Sequence, residues 1–216
     1  MISVSNKKWS ERFYEIKKID KCSQDNNFSQ ILSKLVISRG FVEEEIYSIN
    51  NPENIIFTNI FKFNSDFVNA VKLVNDSINK NEKICIFGDY DVDGSCSTAL
   101  LVKFFNSIKH PYFFYIPDRE KDGYGLNIKL VKKLIRKKPK LIIMVDNGSN
   151  SNEEIDLLNR NKINTLIIDH HQINKPFPKA NVIINPKMDN GYIKHDYMCA
   201  TLLTFFFIDL LKEKIK

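Results

Sequence analysis

Cysteine is scarce in this 216-residue sequence, and long apolar runs are missing from it. No stretch approaches the roughly 20 apolar residues that a membrane-spanning helix needs, and the first residues lack the apolar segment of a signal peptide. No Cys-x-x-Cys pair occurs, so a cysteine zinc site or redox pair is not favoured, and we expect the cysteines to be reduced and structural. These absences predict a soluble cytoplasmic protein with no membrane partner.

The composition is that of a folded protein with an excess of positive charge. Hydrophobic residues make up 43% of the chain, which is sufficient for a packed core. The formal net charge of +6 suits a polyanionic partner such as nucleic acid, whose phosphates attract lysine and arginine. Lysine is spread along the whole chain, however, so the charge alone indicates such a partner only weakly.

The hydrophobic pattern changes near residue 80. Before it, apolar residues recur at helical spacing, and we expect a helical N-terminal preface over residues 1–80 with a helix stop at Gly40. After it, short apolar runs at 84–88, 112–116, 141–145, 165–168 and 182–184 alternate with amphipathic helices. This alternation predicts an α/β domain over 81–216, with a parallel, Rossmann-like sheet of about five strands flanked by helices.

Residues capable of binding metal follow three of these predicted strands. In parallel α/β sheets the carboxyl ends of the strands meet at one edge, where ligands bind. Carboxylates held close together repel one another, and carboxylates and imidazoles crowded at a sheet edge lose hydration, unless they share a cation, so the cluster predicts a divalent metal site. The candidates are Asp89, Asp91, Asp93, Asp146, Asp169, His170 and His171.

The aspartates at 89–93 have two simpler interpretations, which the sequence disfavours. An EF-hand calcium loop would need a glutamate where Leu100 stands and a helix where residues 83–88 read as a strand. Turn and capping aspartates explain one such residue but explain three poorly. We therefore expect a loop that turns sharply at Gly94 and leads into a helix beginning near Ser95.

Segments 86–94 (IFGDYDVDG), 145–148 (VDNG) and 168–171 (IDHH) together resemble the Asp-His-His (DHH) phosphoesterase superfamily. Within it, the chain is similar to the RecJ family of single-strand-specific exonucleases, because residues 38–40, 117–126 and 183–186 also match. The resemblance runs from about residue 9 to residue 200.

The resemblance implies a site for two Mn²⁺ or Mg²⁺ ions. Asp91 and Asp146 would hold one ion, and Asp93, Asp146 and His170 would hold the other, so that Asp146 bridges the two. Such a site hydrolyses phosphodiesters without a side-chain nucleophile.

The resemblance also implies roles for residues that are not metal ligands. His171 would contact the scissile phosphate, with Asp89 and Asp169 in supporting catalytic roles. Arg119 and Tyr124, in a glycine-containing loop, would bind substrate by holding phosphate and stacking a base.

The implied function is 5′-to-3′ exonuclease activity on single-stranded DNA, in DNA repair and recombination. The family's fourth motif and its second lobe would lie beyond Lys216, so we expect an amino-terminal lobe that is incomplete by itself, with a separately encoded C-terminal lobe as one partner. Two alternatives stay open. They are a non-catalytic nucleic-acid-binding or scaffold module and a phosphoesterase for short oligonucleotides.

Overall fold

The computed structural model describes residues 4–8, 10–12, 14–51, 59–123, 125–188 and 195–215. The chain divides into two compact units, residues 1–58 and residues 59–216. Among the described residues, no helix combines the length and the apolar character needed to cross a membrane.

The first unit is helical, as predicted. Its helices are α1 (Ile16–Asn26), α2 (Gln30–Ser38) and α3 (Glu43–Asn50). They enclose a small apolar core of Cys22, Phe28, Val36 and Ile46. Helix α2 ends before Gly40, whose φ of 76° is readily adopted by glycine, and this confirms the predicted helix stop.

The second unit is an α/β domain with a five-stranded parallel sheet, which confirms the predicted fold class. The strand order is β2-β1-β3-β4-β5. In chain order its elements are α4 (Ser65–Asn79), β1 (Ile84–Phe87), α5 (Val92–Ser107), β2 (Tyr112–Tyr115), α6 (Ile128–Ile135), β3 (Leu141–Val145), α7 (Asn152–Arg160), β4 (Asn164–Ile168), β5 (Val182–Ile184) and α8 (Ala200–Ile215).

Strands β1 and β3 are apolar throughout because helices cover both faces of the sheet. In β1, Ile84 and Ile86 lie in one core with residues of α4, α5 and α8. Cys85 and Phe87 alternate with them and lie in a second core with residues of α6 and α7. A strand buried on both faces must be apolar at every position, since successive side chains point to opposite sides.

The structure divides the chain earlier than the predicted boundary at residue 80. Helix α4 belongs to the second unit and not to the helical preface. Its residues Phe67, Ala70 and Val74 are fully buried and share the apolar core that contains Ile84 and Ile86. Helical spacing shows which face of α4 is buried but not what it packs against, so the sequence alone could not assign this helix to the second unit.

The four cysteines have no disulfide partner in the structure, but their surroundings differ. Cys85 is fully buried in β1, and desolvation raises the pKa of its thiol well above the ordinary value. Cys96 is exposed on α5. The prediction that every cysteine is structural therefore does not hold for Cys96, which has no core position to fill.

Candidate metal centre

The predicted metal-binding residues gather at the carboxyl edge of the sheet. Three strands, β1, β3 and β4, each end beside a segment that supplies some of them. Two groups of ligand atoms form there, and within each group all atoms lie within 4.8 Å of one another. One group contains Asp89, Asp91 and Asp146, the other contains Asp146, His170 and His171. Asp146 is the residue common to both.

Asp146 has a buried carboxylate that makes no hydrogen bond with the described residues. Its exposed fraction is 1%, and neither Oδ1 nor Oδ2 has a hydrogen-bond partner in the described part of the chain. His170 Nε2 lies 3.3 Å from Asp146 Oδ1, which is close but lacks hydrogen-bond geometry. Desolvation, followed by the nearby negative charges of Asp93 and Asp91, raises the pKa of Asp146 to about 6.

The backbone at Asp146 is also unusual. Its φ of 61° lies in the left-handed region, which few residues other than glycine adopt, although aspartate and asparagine enter it more often than most. Such backbone conformations cluster at functional sites, where the surrounding structure stabilises them.

On the β1 side, Asp89 and Asp91 have different environments. Asp89 is buried, and its Oδ1 accepts a hydrogen bond from the Tyr90 amide at 2.7 Å. Burial is the main reason why the pKa of Asp89 is raised. Asp91 is exposed and is the N-cap of α5, where it accepts a hydrogen bond from the Gly94 amide at 2.9 Å. Asp91 thus has the helix-capping role that the sequence allowed for one of the three aspartates, and it also belongs to the ligand group with Asp89 and Asp146.

The predicted sharp turn of a loop at Gly94 is wrong, although the structure does require a glycine there. Helix α5 begins at Val92 and not near Ser95, so Gly94 lies inside the first turn instead of in a loop. A Cβ atom at Gly94 would lie 2.6 Å from the backbone nitrogen of Asp89. Glycine is required because the helix passes close to the end of β1, and not because the chain turns there.

On the β4 side, Asp169 organises the two histidines. Its Oδ1 accepts hydrogen bonds from the His170 amide at 2.7 Å and the His171 amide at 3.2 Å, and it lies 2.8 Å from His171 Nδ1. Burial by itself raises the pKa of Asp169, but the hydrogen bonds from His171 and Ser149 outweigh it and lower the pKa to about 2. The Asp169 carboxylate in turn raises the pKa of His171.

Asp93 is held by the amino end of α8. Its Oδ2 accepts a hydrogen bond from the Ala200 amide at 2.8 Å, and its Oδ1 accepts from the Thr201 amide at 2.7 Å and the Thr201 hydroxyl at 2.5 Å. Burial tends to raise the pKa of Asp93, but these hydrogen bonds reverse the effect and lower it. Asp93 lies outside both close groups of ligand atoms, although its Oδ2 is 3.4 Å from His170 Nε2.

Asn185, at the end of β5, connects the loops that follow β3 and β4. It is fully buried, and its Nδ2 donates to Ser149 Oγ at 2.8 Å and to the His171 carbonyl at 2.9 Å. The segment 183–186 matched the family pattern, so the sequence contained a signal for Asn185. It contained none for Ser149 or Thr201, because their contacts depend on residues far away in the chain.

The two predicted substrate-binding residues are Arg119 and Tyr124. Arg119 is exposed, and its guanidinium carbon lies 5.3 Å from the centre of the Tyr90 ring. Tyr90 stands between Asp89 and Asp91 in the sequence. Tyr124 lies outside the described residues.

The residues at the sheet edge fit a divalent cation. Burying a carboxylate that accepts no hydrogen bond costs folding free energy. Asp146 is such a group and belongs to both sets of oxygen and nitrogen ligand atoms, so bound cations would compensate its charge. Carboxylate oxygens suit Mg²⁺ and Mn²⁺, and imidazole suits transition ions.

Comparison with known proteins shows which family the chain belongs to. A model of the DHH family, N-terminal domain, matches residues 83–215. Single-stranded-DNA-specific exonuclease RecJ of Bacillus subtilis is 27% identical over 185 residues, which are 85% of this chain and 23% of that protein. RecJ of Escherichia coli is 33% identical over 148 residues, which are 68% of this chain and 26% of that protein. The chain therefore spans about a quarter of the length of these curated relatives.

Solved structures show the same fold. A crystal structure of exonuclease RecJ bound to manganese has a TM-score of 0.67 and 23% identity, covering 74% of this chain and 40% of that one. RecJ of Thermus thermophilus in complex with Mn²⁺ has a TM-score of 0.68 and 18% identity, covering 93% of this chain and 28% of that one. Because the family model matches more than half of the chain, and because the resemblance to RecJ agrees with it, this protein belongs to the DHH family, whose N-terminal domain it carries from residue 83 onward.

Proposed function

We propose that this protein is the catalytic lobe of a metal-dependent exonuclease that degrades single-stranded DNA in the 5′-to-3′ direction, in DNA repair and recombination. The observation that carries the proposal is Asp146, a buried carboxylate that accepts no hydrogen bond from the described residues and belongs to both groups of ligand atoms. The similarity to RecJ supports the choice of single-stranded DNA as substrate.

The residues at the sheet edge would hold two Mn²⁺ or Mg²⁺ ions. Asp91 would bind one of them and His170 the other, together with Asp93, and Asp146 would bridge them. When bound, two such ions activate water for in-line attack on phosphorus and neutralise charge on the leaving oxygen. Asp89 belongs to the same close group as Asp91, so its carboxylate would add negative charge beside the first ion.

His171 and Asp169 would act on the substrate phosphate. The contact between His171 Nδ1 and the Asp169 carboxylate orients the ring and leaves Nε2 available for a phosphate oxygen. Asp169 also raises the pKa of His171, which favours the protonated ring that attracts an anion.

Substrate binding would involve the loop that follows β2. The exposed Arg119 guanidinium has no carboxylate within 4 Å in the described parts of the chain, so it is available to a phosphate of the strand. Tyr124 would stack a base, as the family resemblance implies.

Degradation of end-labelled DNA tests the proposal. The purified protein with Mn²⁺ should release labelled mononucleotides from 5′-labelled single strands before it releases label from 3′-labelled strands. Asp146→Asn should lower the rate by about two orders of magnitude or more, as expected for the loss of a group that stabilises charge in the transition state. Asp76→Asn, on the surface of α4 and away from the sheet edge, is the matched control and should leave the rate unchanged.

Two results would contradict the proposal. One is that wild-type protein with Mn²⁺ leaves single-stranded DNA intact under conditions where a full-length RecJ degrades it. The other is that Asp146→Asn degrades DNA as fast as the wild type, since activity would then not depend on the bridging carboxylate.

A non-catalytic, nucleic-acid-binding or scaffold module is the second candidate, and the environment of Asp93 favours it. Both oxygens of this predicted ligand already accept hydrogen bonds from α8. Calorimetric titration with Mn²⁺ separates the candidates, because the exonuclease should bind two ions and a scaffold should bind one weakly or none.

A further inference from the structure

We propose that Thr201 is a positioning residue, which holds Asp93 in the orientation needed for metal binding and thereby lets the amino end of α8 set the metal affinity of the centre. The inference rests on the proposed function, because it takes Asp93 to be a ligand on the His170 side.

The two oxygens of Asp93 have different surroundings. Oδ1 accepts hydrogen bonds from both the amide and the hydroxyl of Thr201, at 2.7 and 2.5 Å. Oδ2 accepts from the Ala200 amide at 2.8 Å and lies 3.4 Å from His170 Nε2. Both oxygens are therefore anchored to the first residues of α8, and Oδ2 in addition faces the histidine.

The hydroxyl proton of Thr201 is directed to Asp93 Oδ1. Thr201 Oγ1 also lies 3.0 Å from the Asp93 carbonyl oxygen and 3.2 Å from Ser97 Oγ, but a hydroxyl has one proton to donate. Ser97 Oγ is 2.7 Å from the same carbonyl and satisfies it. The contact with Oδ1 is the shortest one that Thr201 Oγ1 makes, as expected for a hydroxyl that donates to a carboxylate.

These contacts couple α8 to the centre. Ala200 and Thr201 are the first residues of α8, so their amides have no acceptor within the helix, and Asp93 supplies one. The body of α8 is fixed in the core, where Leu203, Phe207 and Leu211 are fully buried. A rigid helix thus determines where the Asp93 carboxylate lies. Hydrogen-bond partners of this kind, one step removed from the metal, orient its ligands and tune its affinity.

Two pairs of proteins, each differing at residue 201 by the hydroxyl, test the inference in the full chain. They are the wild type with Thr201→Val, and Thr201→Ser with Thr201→Ala. In calorimetric titrations with Mn²⁺, the member without the hydroxyl should bind one of the two ions at least about tenfold more weakly. The serine variant should bind like the wild type. Thr204→Val is the matched control, because Thr204 is a fully buried threonine of the same helix whose hydroxyl has no partner in the described structure.

Thermal unfolding separates positioning from a purely structural role. Added Mn²⁺ should raise the unfolding temperature of the hydroxyl-containing proteins more than that of Thr201→Val and Thr201→Ala, because a ligand that binds only the folded state stabilises it. If the unfolding temperature falls in a variant while Mn²⁺ affinity equals that of its partner, Thr201 is structural and the inference is overturned. If Thr201→Val does not fold, the serine and alanine pair decides.

The remaining outcomes also decide. An equal loss of Mn²⁺ affinity in Thr204→Val would overturn the inference, because the effect would not depend on Asp93. A wild type that binds no Mn²⁺ would overturn it as well. A wild type that binds Mn²⁺ but leaves DNA intact would contradict the exonuclease proposal alone, and the titrations of the residue 201 pairs would still test Thr201.

Discussion

Asp146→Asn should make the metal-free protein more stable. In the absence of metal, Asp146 is a buried carboxylate whose two oxygens have no hydrogen-bond partner in the described structure. Asparagine keeps the size and the tolerance for the left-handed backbone at φ 61° but removes the charge. Asp146 is therefore proposed to be essential for hydrolysis, but it destabilises the folded protein when no metal is bound.

The magnitude follows from the pKa of Asp146. Burial raises it from 3.8 to about 6, and one pKa unit corresponds to about 1.4 kcal/mol. Above about pH 6 the ionised carboxylate therefore lowers the free energy of unfolding by about 3 kcal/mol. For a chain of this size that is about 6–12 °C in unfolding temperature.

The pH dependence has a definite sign. The folded state has the higher pKa, so between the two pKa values it binds more protons than the unfolded state, and stability falls as pH rises. The advantage of Asp146→Asn should be absent below about pH 4 and complete above about pH 7.

Thermal unfolding in EDTA at several pH values is the assay, with Asp76→Asn as the control for loss of a carboxylate on the surface of α4. Mn²⁺ at about 100 times its dissociation constant should stabilise the wild type by about 2.7 kcal/mol and close most of the gap, because the variant has lost the shared ligand. A variant less stable than the wild type in EDTA would refute the reasoning. It would show that interactions in the folded state compensate the cost of burying the charged Asp146 carboxylate.

Two further substitutions test the geometry of the site. Gly94→Ala should lower the free energy of unfolding by about 1–3 kcal/mol and weaken Mn²⁺ binding, because its Cβ would lie 2.6 Å from the Asp89 nitrogen; unchanged urea unfolding would contradict this close approach. Asn185→Ala should cost about 1–3 kcal/mol, because it removes a buried amide that donates to the buried Ser149 hydroxyl and to the His171 carbonyl. Asn185→Asp keeps the shape but lacks the donor and should be no more stable than Asn185→Ala, and a thermal unfolding curve like that of the wild type would argue against the role of this amide.

Much of the fold could be predicted from local pattern. The runs that became β1 and β3 are apolar at every position, and such runs form strands buried on both faces. Since the carboxyl ends of parallel strands share one edge, the positions of Asp91, Asp146 and His170 in the chain were sufficient to place them together.

Other features could not be predicted because they depend on contacts between distant residues. The sequence shows an apolar face on α4 but not that β1 and α8 share its core. It shows a glycine after Asp93 but not that Gly94 passes within van der Waals distance of Asp89.

The sequence by itself determined which residues with metal-binding side chains follow the strands and that they share one edge of the sheet, because the alternation of strands with helices and the residue types are local patterns. The tertiary structure alone decided how those residues are held. Asp146 is left without hydrogen bonds in the described structure, whereas Asp93 is fixed by Thr201, a residue 108 positions later. The physical reason is that a carboxylate's charge state and orientation depend on every group packed around it, and packing brings together residues that the chain keeps far apart.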